Sequence, residues 1–111
     1  KNQIELAWRN YVNESFRSSN NSGKTDFVNR RRLSLILSMV IDTEYAIYEI
    51  SEINDAIRLQ YSSKSKRTLL RDLDALLEKK LIVRIENEKY RANSKILTGS
   101  MSSTARGKNI F

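Results

Sequence analysis

The stretch that decides the fold runs from Ser63 to Arg91 and reads SKSKRTLLRDLDALLEKKLIVRIENEKYR. Its leucines recur at helical spacing, which predicts an amphipathic helix over residues 65–80 with Ser65 as its N-cap. The residues that follow alternate between apolar and polar side chains on both sides of a polar turn, Glu86-Asn87-Glu88. This alternation is typical of a β-hairpin. The stretch therefore predicts a helix that leads into a two-stranded hairpin.

The beginning of the chain predicts a helix that is set apart from the rest. Residues 1–16 carry an apolar stripe at helical spacing. The stripe consists of Ile4, Trp8, Tyr11 and Val12. Residues 17–26 are polar and rich in Ser and Asn, which is typical of a flexible loop. We therefore expect residues 1–16 to form an appended amphipathic helix.

The middle of the chain predicts two helices separated by a strand. Apolar side chains from Leu33 to Ile41 have the spacing of a broad buried helix face. Tyr45–Ile50 is short, β-branched and aromatic, which favours a single strand. The next segment predicts a helix with Ser51 as its N-cap. Residues 27–97 thus follow the order helix, strand, helix, turn, helix, hairpin, which is that of a winged helix-turn-helix domain. For residues 98–111, which lack periodicity, we expect a mobile tail.

The composition favours a polyanionic partner and excludes several kinds of catalytic site. The chain has 111 residues, with 20 Lys and Arg against 13 Asp and Glu, for a formal net charge of +7. Nucleic acid is therefore expected ahead of an anionic membrane. With no Cys and no His, the chain lacks the ligands of a Cys/His zinc site, a thiol nucleophile and a histidine base. We expect no enzyme activity, no cofactor, no metal and no small-molecule substrate.

No membrane span is expected, because the longest dense apolar run is far shorter than the roughly 20 residues that a span needs. That run is Leu33–Ile41. The chain begins at Lys1 and not at Met, so we expect it to be part of a longer protein.

The segment Ser65–Ile82, SKRTLLRDLDALLEKKLI, resembles the recognition helix of bacterial regulators of the DeoR type. Those regulators carry a similar Ser-x-x-Thr-apolar-x-Arg-Asp-Leu-x-x-Leu run. The matching positions here are Ser65, Thr68, Leu69, Arg71, Asp72, Leu73, Leu76 and Leu81. The chain departs from the pattern at Lys80, where the family usually has Gly, so a left-handed helix end is not predicted. The resemblance implies a winged helix-turn-helix: α+β, mostly α, with a three-helix core, a small β-wing and here an extra N-terminal helix.

The wider layout is similar to the extended winged-helix domain of the largest subunit of RNA polymerase III transcription factor IIIC. The shared features are an apolar helix, a short strand and a basic helix that runs into LEKKLIVRI. This resemblance implies a nuclear protein that recognises promoter elements of tRNA genes together with other subunits of a transcription complex. An alternative is the accessory winged helix of a bacterial Fic-type enzyme, which implies the bacterial cytoplasm.

The basic start of the predicted helix over residues 65–80 is the candidate contact with double-stranded DNA. In helix-turn-helix proteins, the N-terminal turns of this helix lie at the major groove. The candidate DNA-binding residues are Lys64, Lys66, Arg67, Thr68 and Arg71, with Arg84, Lys89 and Arg91 on the wing strands. We expect the two lysines to contact phosphates, and the arginines and threonine of the helix to reach base edges. Because carboxylates repel phosphate, the acidic turn at the wing tip is not expected to contact DNA, and binding is expected to depend on salt.

The alternative is a winged helix that serves as a protein interaction module. In that case Trp8, Tyr11 and the first helix cover a partner surface, and the basic helix meets an acidic protein. The triplet Arg30-Arg31-Arg32 at the start of the second helix is compatible with either function. Its cations oppose the helix dipole, so we expect a phosphate or an acidic partner there.

Overall fold

The computed structural model describes residues 2–19 and 26–97, which form a mostly helical molecule with a small antiparallel sheet. This agrees with the predicted α+β class. The helices are α1 (Asn2–Ser19), α2 (Asp26–Ser38), α3 (Ile47–Ile50), α4 (Asp55–Tyr61) and α5 (Lys66–Glu78). The strands are β1 (Glu44–Ala46), β2 (Ile82–Ile85) and β3 (Lys89–Ala92). A last helical turn occupies residues 95–97. The tail expected over residues 98–111 and most of the loop expected over 17–26 lie outside the described residues.

Helix α1 packs on the rest of the domain and shares its core. Trp8, Val12 and Phe16 are four residues apart, so they lie on one face of the helix. All three belong to the same buried cluster as residues of α2, α4 and α5. The helix also continues to Ser19, beyond the expected end at residue 16. One face of the first helix therefore packs on this domain, while Tyr11, Ile4 and Leu6 remain exposed.

The prediction of a single strand over Tyr45–Ile50 is wrong for its last four residues. The strand ends at Ala46, and the four residues that follow form helix α3. The side chain of Glu49 turns back, and its Oε1 accepts a hydrogen bond of 2.7 Å from the backbone N–H of Ala46. This bond satisfies an N–H at the beginning of the helical turn. Ile50 is then fully buried.

The prediction that Ser51 caps the next helix is also wrong. Ser51 lies at the end of α3, where its hydroxyl donates a hydrogen bond to the carbonyl of Tyr48. Helix α4 begins later and has Asn54 as its N-cap. The Asn54 side chain accepts a hydrogen bond of 2.8 Å from the backbone N–H of Ile57. Asn is as good a capping residue as Ser, so sequence preference alone did not separate the two positions.

The leucine stripe of α5 faces the core, as its spacing predicts. Leu69, Leu73 and Leu76 are buried. The helix ends with Lys80 in the left-handed region at φ 64°. The N–H of Leu81 bonds to the carbonyl of Leu76 at 3.0 Å, and that of Lys80 bonds to the carbonyl of Leu77 at 2.9 Å. These two bonds form a Schellman motif in which Lys takes the position usually held by Gly.

The predicted hairpin is confirmed, and β1 adds a third strand to it. The sheet has the order β1-β3-β2, and both pairs of strands are antiparallel. Tyr90 of the central strand lies opposite Tyr45 on one side and Arg84 on the other. The turn between β2 and β3 contains two left-handed residues, Asn87 at φ 65° and Glu88 at φ 57°. The chain therefore reverses its direction within this short turn.

Candidate nucleic-acid interface

A fully buried carboxylate on α5 holds two of the arginines of the Arg30-Arg31-Arg32 triplet. Arg31 binds Asp72 through two parallel hydrogen bonds, from Nε to Oδ2 at 2.6 Å and from Nη2 to Oδ1 at 3.0 Å. Arg32 donates a third bond from Nε to Oδ1 at 2.8 Å. The hydroxyl of Tyr61 on α4 donates to Oδ2. Asp72 therefore joins α2, α4 and α5, and we call these four residues the Asp72 clamp.

The protonation states in the Asp72 clamp follow from burial and hydrogen bonding. Burial by itself raises the pKa of Asp72, but hydrogen bonds from Arg31, Tyr61 and Arg32 outweigh it and hold the pKa below its ordinary value. The hydrogen bond to Asp72 raises the pKa of Arg31. Burial, followed by donation to Asp72, raises the pKa of Tyr61 well above its ordinary value. Near neutral pH the clamp thus contains one carboxylate, two guanidinium groups and one neutral hydroxyl.

Two arginines of the triplet, Arg31 and Arg32, therefore have an acidic partner inside the chain. The side chains of Arg31 and Arg32 retain 15% and 20% of their accessible surface. Their donors are directed at the interior carboxylate of Asp72, so the expected phosphate contact does not describe these two residues. A second paired arginine site is found on α4, where Arg58 contacts Glu52 and Asp55. These three arginines contribute to the internal structure of the domain.

The cations at the start of α5 have a different environment. Lys64, Lys66, Arg67 and Arg71 are all exposed, and Thr68 is half-buried. Within the part of the chain that the structure describes, none of these four cations forms an ion pair. The first turn of α5 contains no acidic residue. Exposed acidic residues, Asp74 and Glu78, follow only in the later turns of the same face.

The three candidate cations on the hairpin do not all lie on the same face of the sheet. Side chains of directly opposite residues point to the same side of a sheet, and successive residues alternate. Arg84 lies opposite Tyr90, so it belongs to the face of the sheet that carries buried Tyr90. Lys89 and Arg91 lie on the other face, where Glu44 of β1 is directly opposite Arg91. The three wing cations therefore cannot meet one flat surface together.

A cleft lies between the start of α5, helix α3 and the turn of the hairpin, with a volume of about 540 Å³. Its polar lining includes Lys64, Ser65 and Lys66 from the start of α5 and Asn87 and Glu88 from the hairpin turn. The apolar residues that line it are Ala46, Ile47 and Leu69, together with the rings of Tyr48 and Tyr61. The structure thus brings two of the predicted phosphate contacts next to the acidic turn that the sequence predicts to repel phosphate.

Arg71 belongs to a different part of the surface. It borders a shallow depression together with Arg32, Asp74 and Glu78. The candidate contacts on α5 are therefore spread along the helix, with the lysines at the cleft and Arg71 one to two turns further on.

Two residues of the cleft, Tyr48 and Asn87, are not among the residues that the sequence predicts for the interface. The sequence predicts a strand at Tyr48 and only a polar turn at Asn87. Glu49 is a sequence signal that Tyr48 belongs to a helix and not to a strand. It stands at the third position of a helical turn, where its side chain can cap the N–H of Ala46. If residues 47–50 are helical, Ile47 and Ile50 lie on one face and Tyr48 is directed away from it.

Comparison with protein-family models, with curated proteins and with solved structures finds no match to this chain. Among the described residues, no helix combines the length and the apolar character that crossing a bilayer requires. The same residues contain no group of three or more acidic side chains arranged to hold a metal ion.

Proposed function

We propose that this chain is a winged helix-turn-helix module that binds double-stranded DNA through the first two turns of α5. In this proposal Lys64 and Lys66 contact phosphates, while Arg67, Thr68 and Arg71 reach base edges in the major groove. The module acts within a larger nuclear transcription factor, together with other subunits of its complex.

The order of elements supports this proposal. Helix α2, strand β1, helix α4, helix α5 and the hairpin β2–β3 follow one another along the chain. Only residues 62–65 separate α4 from α5, which is the turn length of helix-turn-helix motifs. The short helix α3 is inserted into this order after β1, while α1 precedes it and the helical turn over residues 95–97 follows it.

The observation that carries the proposal is the division of the basic residues into paired and unpaired groups. Arg31, Arg32 and Arg58 have carboxylate partners within the domain. The cations at the start of α5 have none among the described residues, and they oppose the helix dipole. Cations that are unfavourable for the helix and free of internal partners are available to an external polyanion.

Two observations support one alternative, in which the same domain binds another protein of a transcription complex. Glu86 and Glu88 are exposed, and they repel a phosphate backbone that approaches the hairpin. Phe27 and Leu59, with 78% and 76% exposure, offer apolar contacts that DNA binding does not use.

The proposal is tested by fluorescence anisotropy with a labelled DNA duplex at several salt concentrations. We expect the affinity to fall with salt, with a slope of log K against log[salt] of about −2 for the two phosphate contacts of Lys64 and Lys66. At the same salt concentration, Arg67→Ala/Arg71→Ala should lower the affinity about tenfold or more, because two contacts to base edges are lost.

A control of equal charge is the double variant Arg9→Ala/Arg17→Ala, which removes two exposed cations of α1, one of which, Arg17, contacts Glu14 at 3.5 Å. At about 0.1 M salt we expect its affinity to stay within about twofold of the original chain, because attraction between exposed charges is screened over about 10 Å at that concentration. Equal losses in both double variants, or no binding at low salt, would exclude the proposed role of α5 and favour the protein-binding alternative.

A further inference from the structure

The cleft beside α5 contains a tyrosine whose exposure has no structural explanation in the fold. Tyr48 exposes 74% of its accessible surface and lines the cleft. Its position is fixed because Ile50 is fully buried and Ile47 packs against the core on the other face of α3. An exposed aromatic ring that lines a cleft together with two lysines is the kind of platform on which nucleic-acid bases stack.

The two lysines of the cleft have the chemistry of phosphate contacts. Lys64 and Lys66 are exposed and form no ion pair among the described residues, not even with Glu88 in the same cleft. Their ammonium groups are thus free to contact the phosphates on either side of a nucleotide whose base lies on Tyr48.

The hairpin turn contributes groups to the cleft that suit a base edge better than a phosphate. Asn87 provides an amide and Glu88 a carboxylate. A carboxylate accepts hydrogen bonds from the exocyclic amino group of cytosine, and an Asn amide pairs with adenine. The acidic turn, which is unfavourable beside a phosphate backbone, is therefore favourable beside an amino-bearing base. A volume of about 540 Å³ also lies within the range of small-molecule sites.

From this arrangement we infer that the cleft binds one unpaired nucleotide of a DNA strand that extends beyond the duplex. Its phosphates lie on Lys64 and Lys66, its base stacks on Tyr48, and its amino group is bound by Glu88 or Asn87. The inference rests on the proposed function and extends it: Arg67 and Arg71 hold the bases of the duplex, and the phosphates on Lys64 and Lys66 belong to the strand that leaves the duplex and enters the cleft. The preferred DNA is thus a duplex with a single-stranded extension that contains cytosine or adenine.

The test compares the full chain on a blunt duplex with the same duplex carrying a short cytosine extension, in one probe at the 5′ end and in another at the 3′ end. We expect at least one extended probe to bind about fivefold or more tightly than the blunt one, because stacking of a base on an aromatic ring contributes this much or more. Tyr48→Ala should remove the gain, and Tyr48→Phe should retain it because the ring is kept.

Leu59→Ala is the matched control, since Leu59 is also exposed, at 76%, and does not line the cleft. It should leave the gain unchanged. Glu88→Gly keeps the left-handed backbone at φ 57° without the carboxylate. We expect this variant to bind all DNA somewhat more tightly but to lose the preference for a cytosine over a thymine extension, because thymine has no amino group.

The failures of the two proposals are distinguishable. If the blunt duplex binds through Arg67 and Arg71 but no extension increases the affinity, or if Tyr48→Ala keeps the gain, the nucleotide cleft is wrong and the proposed function stands. If extended probes bind in a manner that depends on Tyr48 while Arg67→Ala/Arg71→Ala has no effect, the cleft stands and the role of α5 in duplex binding is wrong.

Discussion

Asp72 is a charged residue with no solvent exposure, and its environment compensates for the cost of burying it. Each of its two carboxylate oxygens accepts two hydrogen bonds. The donors are Arg31, Arg32 and Tyr61. The guanidinium group of Arg31 also lies 5.9 Å from the centre of the Tyr61 ring, within cation–π range. A buried pair of this kind adds little net stability compared with apolar residues, but removing one partner leaves the other charges uncompensated.

Asp72→Asn should therefore destabilise the domain severely. We expect the free energy of unfolding to fall by about 2–4 kcal/mol, somewhat below the usual range for a broken buried pair because both arginines retain partial exposure to water. Urea unfolding followed by circular dichroism measures the loss.

The control is Asp74→Asn on the same helix, where the carboxylate is exposed. Exposed substitutions of this kind usually change stability by less than about 0.5 kcal/mol. Similar losses for Asp72→Asn and Asp74→Asn would contradict the structural role of the Asp72 clamp.

At the scale of single elements, the end of α5 combines a strong hydrogen-bond pattern with an unfavourable residue. The Schellman motif joins the helix to the hairpin, and the Nδ2 of Asn93 donates a bond of 2.9 Å to the carbonyl of Lys80. Leu76 and Leu81, which accompany the motif, are both fully buried. Lys80 has to hold a left-handed conformation to make this connection, and a side chain with Cβ is strained there.

Lys80→Gly should consequently stabilise the domain. We expect a gain of about 1 kcal/mol in the free energy of unfolding, since Gly adopts positive φ without the steric cost. Thermal and urea unfolding both measure this gain.

Lys79→Gly provides the comparison one residue earlier, where φ is −77° and Lys is unstrained. There Gly should lower the stability by about 0.5–1 kcal/mol. A gain at residue 79, or a loss at residue 80, would be inconsistent with the helix end described above.

The elements that the sequence predicted correctly are those with a local periodic signal. The leucine spacing predicts α5, and the alternation around Glu86–Glu88 predicts the hairpin. Helix α3 was not predicted because its β-branched and aromatic residues favour strands. Its helical conformation is supported by the hydrogen bond from the N–H of Ala46 to Glu49. The left-handed Lys80 was not expected because the backbone follows the Schellman motif and not the preference of lysine.

At the scale of the whole molecule, the candidate site could be predicted only in part. The cations at the start of α5 are visible in the sequence as a cluster. The cleft is not, because its sides come from α3, α5 and the hairpin turn, which are far apart along the chain. The same holds for the Asp72 clamp, whose members are separated by up to 41 residues. Residue spacing carries no signal for contacts of that range.

Because the Asp72 clamp joins three helices, the stability of the whole domain should depend on pH. The pKa of Asp72 is lower in the folded state than its ordinary value of 3.8. Its contribution to stability is therefore fully present above pH 3.8 and is lost as the pH falls through the lower folded value. Protonation removes the negative charge that the arginines of the clamp require.

We expect the difference in unfolding free energy between the original chain and Asp72→Asn to be constant from about pH 7 to about pH 5 and to shrink at acidic pH. Urea unfolding of both proteins across this range measures the difference. A difference that grows on acidification would have the opposite sign and would contradict the depressed pKa.

The spacing within the clamp has a consequence for how the protein is made. Arg31 and Arg32 are synthesised 41 and 40 residues before the carboxylate that neutralises them. At ribosomal rates of about 5–20 residues per second, the interval is roughly 2–8 s. During that time the nascent chain has already delivered α2, β1 and α4, but two guanidinium groups and the Tyr61 hydroxyl lack their common acceptor. The emerging helices therefore reach their final arrangement only once α5 has left the ribosome.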